Sequence, residues 1–239
     1  MSILEVAGLS KNFRGLAAIS NVSFAIEPGS ITSIIGPNGA GKSTLFNLIT
    51  GYLPPTAGEV RFKDRRITGL ATNKIAELGV ARAFQIAKPF RDLSVFENVR
   101  IGALFGKAGP RDVEATTRRG MELAAIAHLA EQPASSLTVG QLRHLEVARA
   151  IATRADLFLA DEPCAGLNPT ETAAMIEVLR KIRSNGITVV LVEHDMPSVM
   201  EVSDRLLVLD AGSLIADGPP PVVSKDPKVI AAYLGTPDV

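Results

Sequence analysis

Apolar positions in this chain recur with two different periods, and the change between them divides the sequence. The first thirty-five residues carry short alternating, β-branched runs, "ILEVA", "NVSFAIE" and "ITSII", broken by a turn at Glu27-Pro28-Gly29-Ser30. Alternation punctuated by Pro-Gly predicts strands joined by turns. "ITSIIG" then runs into a glycine-rich loop followed by "STLFNLITGY", which has helical spacing. From about Ile86 to Ala134 the β-branched runs thin out and helical patterns dominate. There Ser94-Val95-Phe96-Glu97 forms a Ser-x-x-Glu capping box, with Val95, Phe96 and Val99 for the buried side of the helix it opens. Strand patterns resume at "LFLADEP" (157–163) and "ITVVLVE", whose near-continuous apolar runs predict strands buried on both faces. Between them Asn168 caps a helix with Pro169 at its first position and Glu171 in its first turn. Lys181 and Arg183 lie near its end at Asn185-Gly186, so its charges complement the helix dipole. "RLLVLD" and "SLIADG", joined around Ala211-Gly212, predict a hairpin. Strand–helix alternation in this half implies a largely parallel sheet, with 86–149 inserted as a helical lobe.

Composition narrows the reading. With 239 residues, 46% apolar and 21% charged, the chain suits one large domain with a sizeable core. Twenty-five basic residues balance twenty-five acidic ones, which argues against a nucleic-acid partner, where a basic excess is expected. The run "RFKDRR" (61–66) fits a solvated strand and turn. A single cysteine, Cys164, excludes an internal disulfide and a cysteine metal cluster, and suits a reducing compartment. It reads as a small packing residue. No signal peptide is expected from "MSILEVAGLSKNF". Runs such as "TVVLV" (188–192) fall far short of the ~20 apolar residues that span a bilayer. The expectation is a soluble chain able to dock on a membrane protein.

Gly36-Pro37-Asn38-Gly39-Ala40-Gly41-Lys42-Ser43 fits G-x-x-x-x-G-K-[ST]. Glycines let successive backbone N–H groups curl around phosphate oxygens where a Cβ would obstruct. A helix starting near Lys42 adds a positive end of about half a charge. Lys42 is then expected to reach the β- and γ-phosphates and the Ser43 hydroxyl to ligate Mg²⁺. The plain alternative is a glycine-rich turn before a helix. Asp161, at the carboxyl end of a buried strand, sits where ligands of open α/β sheets bind, and suits a second metal anchor. Its neighbour Glu162 suits a base that polarises an attacking water. The plain alternative is that both solvate a strand end. His194 follows "VLVE" at another strand end. In isolation it reads as a structural hydrogen-bonder; beside a γ-phosphate it reads as a donor to developing anionic charge. His128 and His144 are expected on helix surfaces.

Kinases, GTPases, helicases and transport ATPases share these parts. What separates them is Leu137-Thr138-Val139-Gly140-Gln141, together with Gln85 in "ARAFQ", Asp161-Glu162 and His194. In this order the chain resembles the ATP-binding cassette (ABC) ATPases, whose signature is Leu-Ser-Gly-Gly-Gln. "ARAFQIAKPFRDLSVFENV", "GQLRHLEVARAIA", "DEPCAGLNPTE", "VEHDM" and the terminal "VIAAYLG" look most like the ATPase subunits of branched-chain amino-acid importers. Urea and lipopolysaccharide transport ATPases share several of these motifs. The resemblance implies an α/β P-loop NTPase core of the ABC type: a mostly parallel sheet with helices, an N-terminal antiparallel β part and an inserted helical lobe. It implies one domain over 1–239, with 1–85 plus 150–239 as the nucleotide-binding core and 86–149 as the signature lobe.

The resemblance also assigns roles. Phe13 would stack on adenine, and the loop from Gly36 through Lys42 and Ser43 to Thr44 would hold the phosphates. Gln85 would touch Mg²⁺ and link the site to the membrane partner. Thr138, Gly140 and Gln141 would face ATP held by a second ATPase subunit. Thr138-x-x-Gln141 is also a capping box, and a capped N-terminus still presents N–H groups to an anion. Val139 replaces a signature glycine. Asn168 stands in the dimer-contact loop where many members carry Asp. The implied protein hydrolyses ATP at the cytoplasmic face of the membrane, with integral permease subunits, a second identical or related ATPase and, indirectly, a solute-binding protein. A soluble ABC ATPase of the iron–sulfur assembly type has the same catalytic parts. A DNA-repair or chromosome ATPase does not fit, because the stretch between Gln85 and Gln141 is too short for a long coiled coil.

Overall fold

The computed structural model describes residues 1–84, 88–107 and 112–234. In chain order they form β1 (Leu4–Phe13), β2 (Leu16–Ile26), β3 (Ile31–Ile35), α1 (Lys42–Ile49), β4 (Ala57–Phe62), β5 (Arg65–Arg66), α2 (Thr72–Leu78) and β6 (Val80–Ala83). Then follow α3 (Val95–Phe105), α4 (Val113–Leu123), α5 (Val139–Ala152), β7 (Leu157–Asp161), α6 (Pro169–Ser184) and β8 (Thr188–Val192). The chain closes with α7 (Met196–Val202), β9 (Arg205–Asp210), β10 (Ser213–Gly218), α8 (Pro220–Val223) and α9 (Pro227–Leu234). They are shared between two compact units: Met1–Thr72 with Val190–Val239, and Asn73–Val189.

In the first unit β1 pairs antiparallel with β2 and β4, and β4 with β5, giving the order β2-β1-β4-β5. The β1–β2 hairpin runs out to Phe13↔Leu16, well beyond the strands expected at "ILEVA" and "NVSFAIE". Its outer part is largely exposed, so backbone pairing extends it without the alternating apolar side chains that mark a half-buried strand. In the same unit β3 pairs in parallel with β9, Ile35 opposite Val208, and β9 pairs antiparallel with β10 as the sequence predicts. Ile35, Val199, Leu206, Val208, Val223 and Val229 form one buried cluster of this unit.

In the second unit β6 and β7 run parallel, Arg82 opposite Leu159, and every residue of β7 is buried. The helices α3, α4 and α5 pack on one another. Helix α6 buries Met175, Ile176, Val178, Leu179 and Ile182, and its Lys181 donates to the Glu122 carbonyl at 2.7 Å, fixing its last turn beside the end of α4. The caps fall where local chemistry places them. Ser94 and Glu97 form a reciprocal capping box on α3, and Asn168 and Glu171 form another on α6 behind Pro169. The unit thus holds β6, β7 and α6 as well as the helices of 86–149.

Candidate functional site

The glycine loop lies between β3, buried throughout, and α1. Two of its glycines are required by close approach. A Cβ on Gly36 (φ +149°) would stand 2.0 Å from the Leu209 carbonyl oxygen, and one on Gly41 (φ +103°) 2.6 Å from that of Ala18. The loop is pinned further along: the Gly212 amide donates to the Ala40 carbonyl at 3.0 Å, and the Gly212 carbonyl accepts from the Ser20 amide at 2.8 Å. Pro37 is half-buried and Ala40 buried, while Asn38 and Gly39, between them, are exposed.

Helix α1 opens on Gly41 in the left-handed region, with no side-chain cap and no acidic residue in its first turn. Its leading N–H groups therefore have neither of the usual intramolecular acceptors at a helix start, a cap or a first-turn carboxylate. That is the condition in which a helix end attracts an anion. Lys42 is only 8% exposed; its ammonium donates to the carbonyls of Gly36 at 2.7 Å and Pro37 at 3.0 Å. The loop's own dipoles thus orient the charge. Ser43 is exposed and Thr44 half-buried on the first turn.

Phe13 lies exposed where β1 turns into β2, with the Lys11 ammonium 5.2 Å from its ring centre. An exposed ring at a hairpin tip is free to take a flat partner. His194 follows β8 with its side chain 61% exposed, and its Nδ1 lies 3.9 Å from Oε2 of the buried Glu193. His144, expected on a helix surface, is instead partly buried with Nδ1 2.7 Å from the Ala124 carbonyl oxygen, because the turn after α4 closes over it. His128 is exposed, and Cys164 is buried and forms no disulfide.

In the second unit, Asp161 ends β7 only 6% exposed, and its Oδ2 accepts from Nη2 of Arg82 at 2.5 Å, an arginine side chain itself 7% exposed. The parallel register of β6 on β7 places this pair. The Arg82 guanidinium also lies 4.8 Å from the Phe84 ring centre. Sequence reading missed Arg82; its signal, one charge in the strand pattern "VARA", gives no hint of a partner 79 positions away. Glu162 follows with φ +49°. A non-glycine residue in the left-handed region costs about 1–2 kcal/mol, and such strain gathers at functional sites.

The segment "LTVGQ" begins α5. Thr138 is the N-cap: its hydroxyl accepts from the Gln141 amide at 3.3 Å, and the Gln141 side chain accepts from the Thr138 amide at 2.9 Å. Val139 occupies the first helical position and is 59% exposed. A Cβ on Gly140 would meet Oε1 of Glu171 at 2.7 Å, so α5 begins hard against the α6 cap. Arg143 donates to the Ala165 carbonyl at 3.1 Å, tying α5 to the loop that precedes Asn168. The far half of α5 carries Glu146 and Arg149, which are ion-paired at 2.7 Å. Glu146 accepts from the Lys88 amide and Arg149 donates to the Lys88 carbonyl. Gln85 lies outside the described residues.

Comparison with known proteins follows the same lines. Residues 19–165 match the family described as ABC transporter, and residues 213–239 the family described as branched-chain amino acid ATP-binding cassette transporter. The chain is similar to the high-affinity branched-chain amino acid transport ATP-binding protein BraF of Pseudomonas aeruginosa, 40% identical and covering 98% of each chain. Among solved structures it resembles the ADP conformation of MJ1267, an ATP-binding cassette of an ABC transporter, with a TM-score of 0.89 and 32% identity over 99% of this chain and 100% of that one. It also resembles a dimeric post-hydrolysis state of the ATP-binding cassette MJ0796 bound to ADP and Pi, with a TM-score of 0.81 and 25% identity over 91% and 98% of the two chains.

Proposed function

This chain belongs to the ABC transporter family, and on that premise we propose that it is the ATP-binding and ATP-hydrolysing subunit of a membrane importer for branched-chain or related amino acids. The observation that carries the reading is the phosphate loop. It joins glycines that exclude a Cβ, an uncapped helix N-terminus and a lysine oriented by loop carbonyls. Together those parts suit a phosphate-bearing anion.

Each side chain then has a task. Phe13 stacks on the adenine, and the backbone from Gly36 to Thr44 wraps the phosphates while Lys42 neutralises the β- and γ-oxygens. Mg²⁺ seeks oxygen donors, keeps several waters and is held through one or two carboxylates beside substrate phosphates. The Ser43 hydroxyl and the Asp161 carboxylate are donors of that kind, with Gln85 as a third; they would hold Mg²⁺, which would supply positive charge beside the γ-phosphoryl group. Glu162 accepts a proton from the attacking water, whose oxygen bonds to phosphorus as the bond to the ADP oxygen breaks. His194 donates to the anionic γ-oxygen. Thr138, Gly140 and Gln141 offer the N-terminus of α5 to nucleotide on a second ATPase subunit, identical or related, so that ATP closes a dimer and hydrolysis releases it. The segment 86–149 is the signature lobe of a single ATPase domain.

The match of residues 213–239 to branched-chain amino acid transporters favours an importer over an assembly ATPase. Attachment to the cytoplasmic face would come through permease subunits; no described helix is long and apolar enough to cross a membrane. In this reading Glu162→Gln keeps ATP binding, abolishes turnover and accumulates an ATP-bound dimer, measured by phosphate release and size-exclusion chromatography. Lys42→Ala loses nucleotide affinity. Undiminished hydrolysis in the first variant sinks the role of Glu162, and undiminished binding in the second sinks the loop assignment.

A further inference from the structure

The outer half of β1 carries the exposed ring of Phe13, and a segment that follows α1 braces it. Pairing of β1 with β4 stops at Ser10↔Ala57. Past that point residues 54–56 flank β1 instead. The Thr56 amide donates to the Ser10 carbonyl at 2.8 Å, and the Thr56 hydroxyl accepts from the Asn12 amide at 3.1 Å. The Lys11 ammonium donates to the Pro54 carbonyl at 2.7 Å. Pro54 and Pro55 both have φ fixed by their rings, so the brace is stiff. It is joined in turn to α1, because the Leu53 amide donates to the Asn47 carbonyl at 3.1 Å. Helix α1 starts at Lys42 in the phosphate loop.

Lys11 is where this brace meets the ring. Residues two apart on a strand share a face, which brings Lys11 beside Phe13. The ammonium lies 5.2 Å from the ring centre, within the range at which a cation is drawn to a π-face. The bond to Pro54 fixes the cation, and the cation holds the ring. One face of Phe13 is thereby occupied, and the other is left for a flat partner. A ring held before its ligand arrives loses less freedom on binding than one swinging at a hairpin tip.

We propose that Lys11 is a positioning residue for Phe13: anchored on Pro54, it orders the ring and decides which face the adenine of ATP stacks on. This rests on Phe13 being the adenine's partner. Because the brace runs back to α1, the base and the phosphates are then received in one frame, whose span is set before ATP arrives.

The chain has no tryptophan, so Phe13→Trp places a single indole at the tip. In that protein without nucleotide, adding Lys11→Met should lower the fluorescence anisotropy of the indole. In the otherwise native chain, titration calorimetry with ATP should give a Kd about threefold weaker for Lys11→Met, the weight of one exposed cation–π contact. Phe13→Ala should also weaken ATP binding, and Lys11→Met added to it should change nothing further. Unchanged anisotropy, or a Kd equal to that of the wild type, overturns the proposal. So does a loss of affinity that persists in the Phe13→Ala background, since Lys11 then acts on the nucleotide directly. Undiminished ATP affinity in Phe13→Ala alone overturns instead the reading of Phe13 as the base's partner.

Discussion

Replacing Arg82 by Met keeps the length of the side chain and removes its charge, which leaves the Asp161 carboxylate buried beside an apolar chain. The magnitude follows from the pair's setting. Both side chains are under one-tenth exposed and meet at 2.5 Å. Unit charges centred ~4 Å apart attract by about 4 kcal/mol at an effective dielectric of 20. Stranding one member of a buried pair costs about 3–5 kcal/mol. The second contribution of Arg82, its stacking on Phe84, is worth about 0.5–1 kcal/mol more. Arg82→Met should therefore lose about 4 kcal/mol, close to a 10 °C fall in Tm for a chain of this size. The protein lacks tryptophan, so urea unfolding followed by far-ultraviolet circular dichroism is the suitable assay. The double variant Arg82→Met/Asp161→Asn should recover part of the loss, because the stranded charge is gone. A loss under about 1 kcal/mol in the single variant, or none recovered in the double, would refute the claim that the two side chains compensate each other.

Two further outcomes follow from local geometry. Gly36→Ala places a methyl group 2.0 Å from backbone at Leu209, whereas Gly39→Ala, also at positive φ, meets nothing within 4 Å; the first should destabilise by at least ~1 kcal/mol more than the second in the same urea assay, and equal losses would show that strand β9 yields. On α3, the Ser94 amide, then the Ser94 hydroxyl, hold the Glu97 carboxylate below its ordinary value of 4.5. Because the folded pKa is depressed, this stability is present above that value and lost as pH falls below it, so Glu97→Gln should flatten the acid limb of an unfolding profile, and an unaltered limb would contradict the capping account.

Much of this arrangement was legible in the sequence because its signals are local. A capping box needs residues three apart, so Ser94 with Glu97 and Thr138 with Gln141 could be read directly and fold as read. The glycine loop is likewise one continuous string. The phosphate-loop assignment could even anticipate Lys42 as part of the loop, though not the carbonyls that orient it. What stayed hidden depends on register or on residues far apart in the chain. Arg82 meets Asp161 because two strands pair in parallel, and nothing near either residue announces the other. The left-handed backbone at Glu162 is invisible because glutamate carries no composition signal for positive φ. The outer β1–β2 hairpin was missed for the opposite reason: its exposed residues satisfy backbone pairing without an apolar pattern.

The turn at Ala211-Gly212 has a consequence for how such a chain can vary in length. Surface turns are where insertions and deletions are ordinarily absorbed. This one has no slack. Gly212 is bonded through its amide to Ala40 in the phosphate loop and through its carbonyl to Ser20 on β2. One residue added or removed there would break both bonds and shift the loop's anchor. The β1–β2 tip at Arg14-Gly15 lies exposed, with open space around Gly15. Length changes should therefore collect at that tip and in other exposed turns, while the 211–212 turn keeps a fixed length wherever the phosphate loop remains in use.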